Sequence, residues 1–178
     1  MAKKGKKEKG TKGVARVVAT LQRQQANALV AYLNYKKYHW LSYGPLFRDI
    51  HLMLDEQATL VYATIDEFAE RAIMIGGTPL GDPADYLPNA SAKPSKGKLS
   101  LDEMIAEARA TLDVVIEEMH ADTEVAAEAG DIGTADLYTR LVQVHQKSRW
   151  FLNEILKKRD GLTSGGDAGP GRTAGSPR

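Results

Sequence analysis

A chain of 178 residues without cysteine is long enough for one well-cored domain and offers neither a disulfide framework nor a thiolate metal site. Its net charge of +1 hides a division: residues 1–16 carry +6 and residues 157–178 carry +3, which leaves −8 on the body between them. An acidic body suits cations, and basic ends suit polyanions such as nucleic acid.

Residues 1–13 are rich in Lys and Gly and lack the apolar centre of a secretory signal, so they read as a flexible arm and the expected location is the cytoplasm. A first helix is predicted from about residue 14 to 41, with Val17, Leu21, Ala28, Tyr32 and Tyr35 on its apolar side and Gly44-Pro45 after it. A second is predicted from about 46 to 75. Its stripe of Ile50, Leu54, Ala58, Val61, Ile65, Phe68, Ala72 and Ile75 keeps helical period, and Gly76-Gly77 closes it. The third opens on Ser100-Leu101-Asp102-Glu103, a capping box, follows Met104, Ala108, Leu112, Val115 and Met119, and stops at Gly130. The fourth starts near Thr134 with Leu137, Leu141, Val144, Ser148, Leu152 and Ile155, and Gly161 ends it. Residues 161–178, rich in Gly, Ser and Pro, read as a second flexible tail around a domain of residues 14–160.

No segment alternates as a half-buried strand does, so the expected fold is all-α. The first two and the last two helices are joined by short links, which makes each pair antiparallel neighbours. Residues 76–99 form a much longer connection, with a short extra helix expected at 82–87. One long crossover between two hairpins is the ferritin-like four-helix arrangement. No run approaches the roughly 18 apolar residues that a membrane span requires.

The second helix carries the chemistry. His51 and Asp55 are four residues apart, as are Asp66 and Glu70, so each pair shares a helical face. The fifteen residues from His51 to Asp66 leave a net rotation of about 60° but a separation of about 22 Å along the axis. One chain therefore cannot bring both pairs to one metal ion. Two copies packed antiparallel about a two-fold axis near Leu60 and Val61 can, and the dimer then holds two equivalent sites. Leu52, Leu60 and Tyr62 give this helix a second apolar face for such a partner, and His39 can join from the first helix. Imidazole with carboxylate and no thiolate fits iron among the redox metals, and zinc fits the same donors. Few protein ligands leave positions open for an oxidant or water.

His39-Trp40, the step of twelve to His51, and then Asp55, Asp66 and Glu70 resemble the Dps family (DNA-binding proteins from starved cells), as does the text DEQATLVYATIDEFAERAIMIGGTPLG. The similarity covers residues of about 14 to 158. It implies a hollow shell of twelve subunits whose ferroxidase sites take His39, His51 and Asp55 from one subunit and Asp66 and Glu70 from the other. It implies oxidation of Fe(II), with hydrogen peroxide as the usual oxidant, and storage of the ferric product, and it suggests that Trp40 intercepts oxidising equivalents.

The remaining features are weighed beside that resemblance. Asp131 and Asp136 resemble acidic residues lining the family's three-fold pores, although Asp131 equally suits turn chemistry and Asp136 a helix N-terminus. Lys3, Lys4, Lys6, Lys7, Lys9 and Lys12 suit nonspecific binding of DNA by counterion release, with possible nucleoid association. Glu117-x-x-His120 occurs once, whereas an intrasubunit di-iron bundle needs two copies, so it reads as a chance match with a surface metal site as the minority reading. Trp150 reads as packing. The alternative function is a nucleoid-structuring protein with a vestigial iron site. A larger ferritin or bacterioferritin would need the second Glu-x-x-His motif.

Overall fold

The computed structural model describes residues 2–157, and every regular element among them is a helix: α1 (Ala2–Leu41), α2 (Phe47–Met74), α3 (Pro83–Asn89), α4 (Leu101–Glu128) and α5 (Ile132–Ile155). Cross-helix partners set the directions. Lys36 meets Asp55 and Tyr32 meets Tyr62, so α1 and α2 run antiparallel. Arg16 meets Glu128 and Tyr38 meets Glu107, so α4 opposes α1. Arg71 meets Asp131 and Arg140 meets Glu67, so α5 opposes α2. The link between α2 and α4 must therefore travel the length of the bundle, from Gly77 beside Val18 to the N-terminus of α4 near Tyr38. This is the ferritin-like crossover that the connection lengths imply.

The apolar stripes meet in one core. Tyr35, Tyr38, Phe68 and Tyr138 are its largest fully buried side chains, with Leu21, Leu54, Leu112 and Met119 among them. Burying a side chain of this size contributes roughly 1.5–3 kcal/mol. Caps fix the ends. Ser100 and Glu103 form the predicted capping box, and the Asp82 side chain accepts from the Ala84 amide at 2.9 Å to start α3 behind Pro83. Gly76 takes φ +85° at the end of α2, a left-handed conformation that favours glycine. Gly77 then passes so near Val18 that a Cβ would lie 2.3 Å from its Cγ2.

Buried amides on α1 hold the crossover. Gln25 exchanges two hydrogen bonds with the Leu80 backbone at 2.9 and 3.0 Å. The Asn27 side-chain oxygen accepts from the Ser91 and Ala92 amides at 2.8 and 2.9 Å. Asn34 accepts from the Ser95 amide and donates to the Lys93 carbonyl. Each bond supplies a partner to backbone that a buried loop would otherwise leave unsatisfied.

Three boundaries differ from the sequence reading. α1 starts at Ala2 and not near Val14, because Ala, Lys and Glu propagate a helix that is already nucleated downstream. α5 starts at Ile132 behind an Asp131 cap, and α3 extends to Asn89. The tail assigned to residues 161–178 lies outside the described residues, as do the side chains of Lys3, Lys4, Lys6, Lys7 and Lys9; Lys12 is exposed.

Candidate metal centre

The turn of five residues between Leu41 and Phe47 folds the end of α1 onto the first turns of α2 and brings His39 against His51. Their rings stack with centroids 3.6 Å apart and planes 20° from parallel. The Nδ1–H of His39 donates to the His51 carbonyl at 2.8 Å, and the Nδ1–H of His51 donates to the His39 carbonyl at 2.9 Å. A carbonyl can only accept, so each ring carries a proton on Nδ1, and Nε2 is the nitrogen left without a backbone partner. The His39 carbonyl is one of the last four of α1, which a helix leaves without internal partners. Donation from the second ring nitrogen also raises the basicity of an imidazole ligand.

Asp55 lies one turn beyond His51, and Lys36 Nζ donates to its Oδ1 at 2.5 Å. That hydrogen bond holds the Asp55 carboxyl below the ordinary carboxylate range; desolvation opposes it, and the charge of Lys36 acts in the same direction as the bond. The ammonium also sits 5.9 Å from the ring centre of Trp40, which is 67% exposed. Asp66 and Glu70 are exposed further along α2, about 22 and about 28 Å from His51 at helical rise. Among the described residues, no three His, Asp or Glu side chains of one chain gather closely enough to hold a metal ion. His39 of α1 and His51 of α2 thus meet in one place, with Asp55 a turn further along α2, and Asp66 and Glu70 lie apart from them on the same helix. Between and around them Leu52, Leu60 and Tyr62 are exposed.

The other candidates fall elsewhere. The Asp131 side chain caps α5 by accepting from the Thr134 amide and hydroxyl and pairs with Arg71. Burial opposes its ionisation, but the hydrogen bonds from Thr134 and Arg71 prevail and hold its carboxyl low. Asp136 is exposed and shares an open groove of about 290 Å³ with Glu67, Glu70, Arg71 and Arg140. Glu117 and His120 are exposed on α4, and Trp150 is exposed and stacked on Phe151 at 5.0 Å. Lys36 and Ser42 escape the sequence reading, although Lys36 precedes Trp40 by four residues and so shares its helical face.

A bundle of two antiparallel hairpins joined by one crossover defines a ferritin-like protein, and the model of the ferritin-like domain matches residues 18–161. The chain belongs to the Dps family within that class. It is 36% identical over 141 residues to DNA protection during starvation protein 1 of Deinococcus radiodurans, a match covering 79% of this chain and 68% of that one. The structure of Dps from Thermosynechococcus elongatus superposes with a TM-score of 0.85 at 61% identity, over 87% of this chain and 99% of that one. A Dps protein from Vibrio cholerae O1, described as a member of a broad superfamily of ferritin-like diiron-carboxylate proteins, superposes with a TM-score of 0.78 at 27% identity, over 83% and 92%.

Proposed function

We propose that the chain is a ferroxidase and iron-storage subunit whose metal site is completed across a two-fold interface. The observation that carries this is the stacked, mutually hydrogen-bonded pair of His39 and His51 one helical turn from Asp55, with the remaining carboxylates out of reach on the same helix. Antiparallel packing of two α2 helices about Leu60 and Val61 sets His51 opposite Glu70 and Asp55 opposite Asp66 of the second copy. The exposed Leu52, Leu60 and Tyr62 then become buried, as an interface core requires.

Fe(II) is the substrate. The imidazoles and carboxylates bind and orient it, and the open positions admit the oxidant. Two Fe(II) ions each give one electron to one molecule of hydrogen peroxide, which takes up two protons and leaves as two waters. The ferric product is stored inside a shell of twelve subunits, with Asp136 and the neighbouring groove on a route inward. The basic arm of residues 1–13, ahead of the domain of residues 14–160 and the tail of 161–178, adds nonspecific DNA binding in the cytoplasm or at the nucleoid.

Complementation tests the shared site. His51→Ala subunits and Asp66→Ala/Glu70→Ala subunits, each inactive alone, regain peroxide-driven Fe(II) oxidation when refolded together, because each mixed dimer holds one intact site. Absence of recovery in confirmed mixed oligomers defeats the shared site, and full activity in either parent defeats the ferroxidase.

A further inference from the structure

Beside the two histidines lies a hydroxyl that the metal reading leaves unused. Ser42, the first residue past α1, is 7% exposed. Its Oγ–H donates to the His39 carbonyl at 2.9 Å, and the same Oγ lies 3.5 Å from His51 Nδ1. A serine bonded to the carbonyl three residues back is a common local habit. Here that carbonyl is also the acceptor that orients His51, at 2.9 Å.

Two rings press on the His51 imidazole: His39 with centroids 3.6 Å apart and Phe47 at 4.9 Å. The His51 ring moves only by turning about its Cα–Cβ and Cβ–Cγ bonds, and the two ring contacts restrain its tilt. What Nδ1 touches selects among the settings that remain, and with them where Nε2 points. Nδ1 touches the His39 carbonyl, with the Ser42 oxygen beside it as a second, longer acceptor. A carbonyl has two lone pairs, so the Ser42 and His51 donors are accommodated together.

We propose that Ser42 is a positioning residue: its hydroxyl pins the His39 carbonyl and flanks His51 Nδ1, so that the His51 Nε2 is aimed at the metal. This inference rests on the metal reading of His39 and His51. Outer contacts of ligating histidines tune affinity and geometry without touching the ion.

The test uses Co(II) added without oxidant to the intact oligomers of wild type, Ser42→Ala, Ser42→Thr and His51→Ala. Ser42→Ala is expected to bind Co(II) about three- to tenfold more weakly, with displaced visible bands and an unchanged oligomer and melting midpoint. Ser42→Thr, which keeps the hydroxyl, is expected to restore both affinity and spectrum. A wild-type spectrum and affinity in Ser42→Ala overturn the proposal. A loss that accompanies a lowered melting midpoint and is not restored by Thr also overturns it, because packing then explains the effect. Undiminished Co(II) binding by His51→Ala overturns the metal reading itself, and the role of Ser42 with it.

Discussion

Replacing Asn27 with Leu is expected to free the crossover while leaving the bundle closed. Asn27 is 1% exposed, and its oxygen is the acceptor for the Ser91 and Ala92 amides. Its nitrogen donates to Glu118 at 2.9 Å and to Gln24 at 3.2 Å. Leu fills a similar volume and removes all of these bonds. A buried group left unsatisfied costs about 1–3 kcal/mol. Ala92 is 3% exposed and bears the full cost, whereas half-buried Ser91 recovers part of it from water. The local loss is therefore about 2–4 kcal/mol. Melting of an assembled oligomer mixes subunit stability with association, so hydrogen exchange followed by mass spectrometry is the better assay. A loss of 2 kcal/mol accelerates exchange at amides 91 and 92 by about 30-fold. A peptide from the middle of α2 serves as the reference and keeps its wild-type protection. Unchanged exchange at 91 and 92 refutes the reasoning, and so does an equal acceleration in α2, which would mean that Asn27 holds the whole bundle.

Three further outcomes follow from the same contacts. His145 is 4% exposed on α5, and burial lowers its pKa from 6.5 to about 4. The unfolded chain takes up this proton more readily, so His145 leaves stability intact above about pH 6.5 and erodes it as the pH falls toward 4, by roughly 3 kcal/mol in all. Thermal melts from pH 7 to 4.5 should fall less steeply for His145→Phe than for wild type; parallel slopes refute this. Lys36→Gln removes the cation that competes for Asp55, so Co(II) should bind several-fold more tightly in an oxidant-free titration, and weaker binding means that Lys36 organises the site. Asp131→Ala loses both the α5 cap and the Arg71 pair, a cost of about 1–3 kcal/mol, read as a lowered melting midpoint at fixed protein concentration. Asp131→Asn keeps the cap acceptor and should lose less.

Repetition made the helices legible. The stripes on α2 and α4 run for many turns, and nearly every residue assigned to them is buried. The start of α1 was not legible, because composition describes whether a segment can hold a core and not whether a helix beginning elsewhere will run through it. The roles of Gln25, Asn27 and Asn34 were hidden for a similar reason. Polar residues spaced along a helix look like a solvated face until the crossover that covers them is placed. In the site, face geometry alone paired His51 with Asp55 and Asp66 with Glu70. The mutual bonds of His39 and His51 depend on how tightly residues 42–46 turn, which spacing does not encode. Asp131 was open to two readings, and the structure gives it the cap and Arg71.

The clasp between His39 and His51 has a consequence for mutagenesis. Each ring fastens the opposite helix by the nitrogen that a metal does not need, so the same two side chains seal the α1–α2 hairpin whether or not iron is bound. A deep mutational scan scored on soluble yield would flag both positions as intolerant and class them with the hydrophobic interior. Asp66 and Glu70, which have no side-chain bond among the described residues, would pass that screen and, on the proposed function, fail only one scored on turnover. On the proposed function, a gene of this kind can therefore lose the carboxylate half of the centre silently, but cannot discard the imidazole half without also loosening the fold.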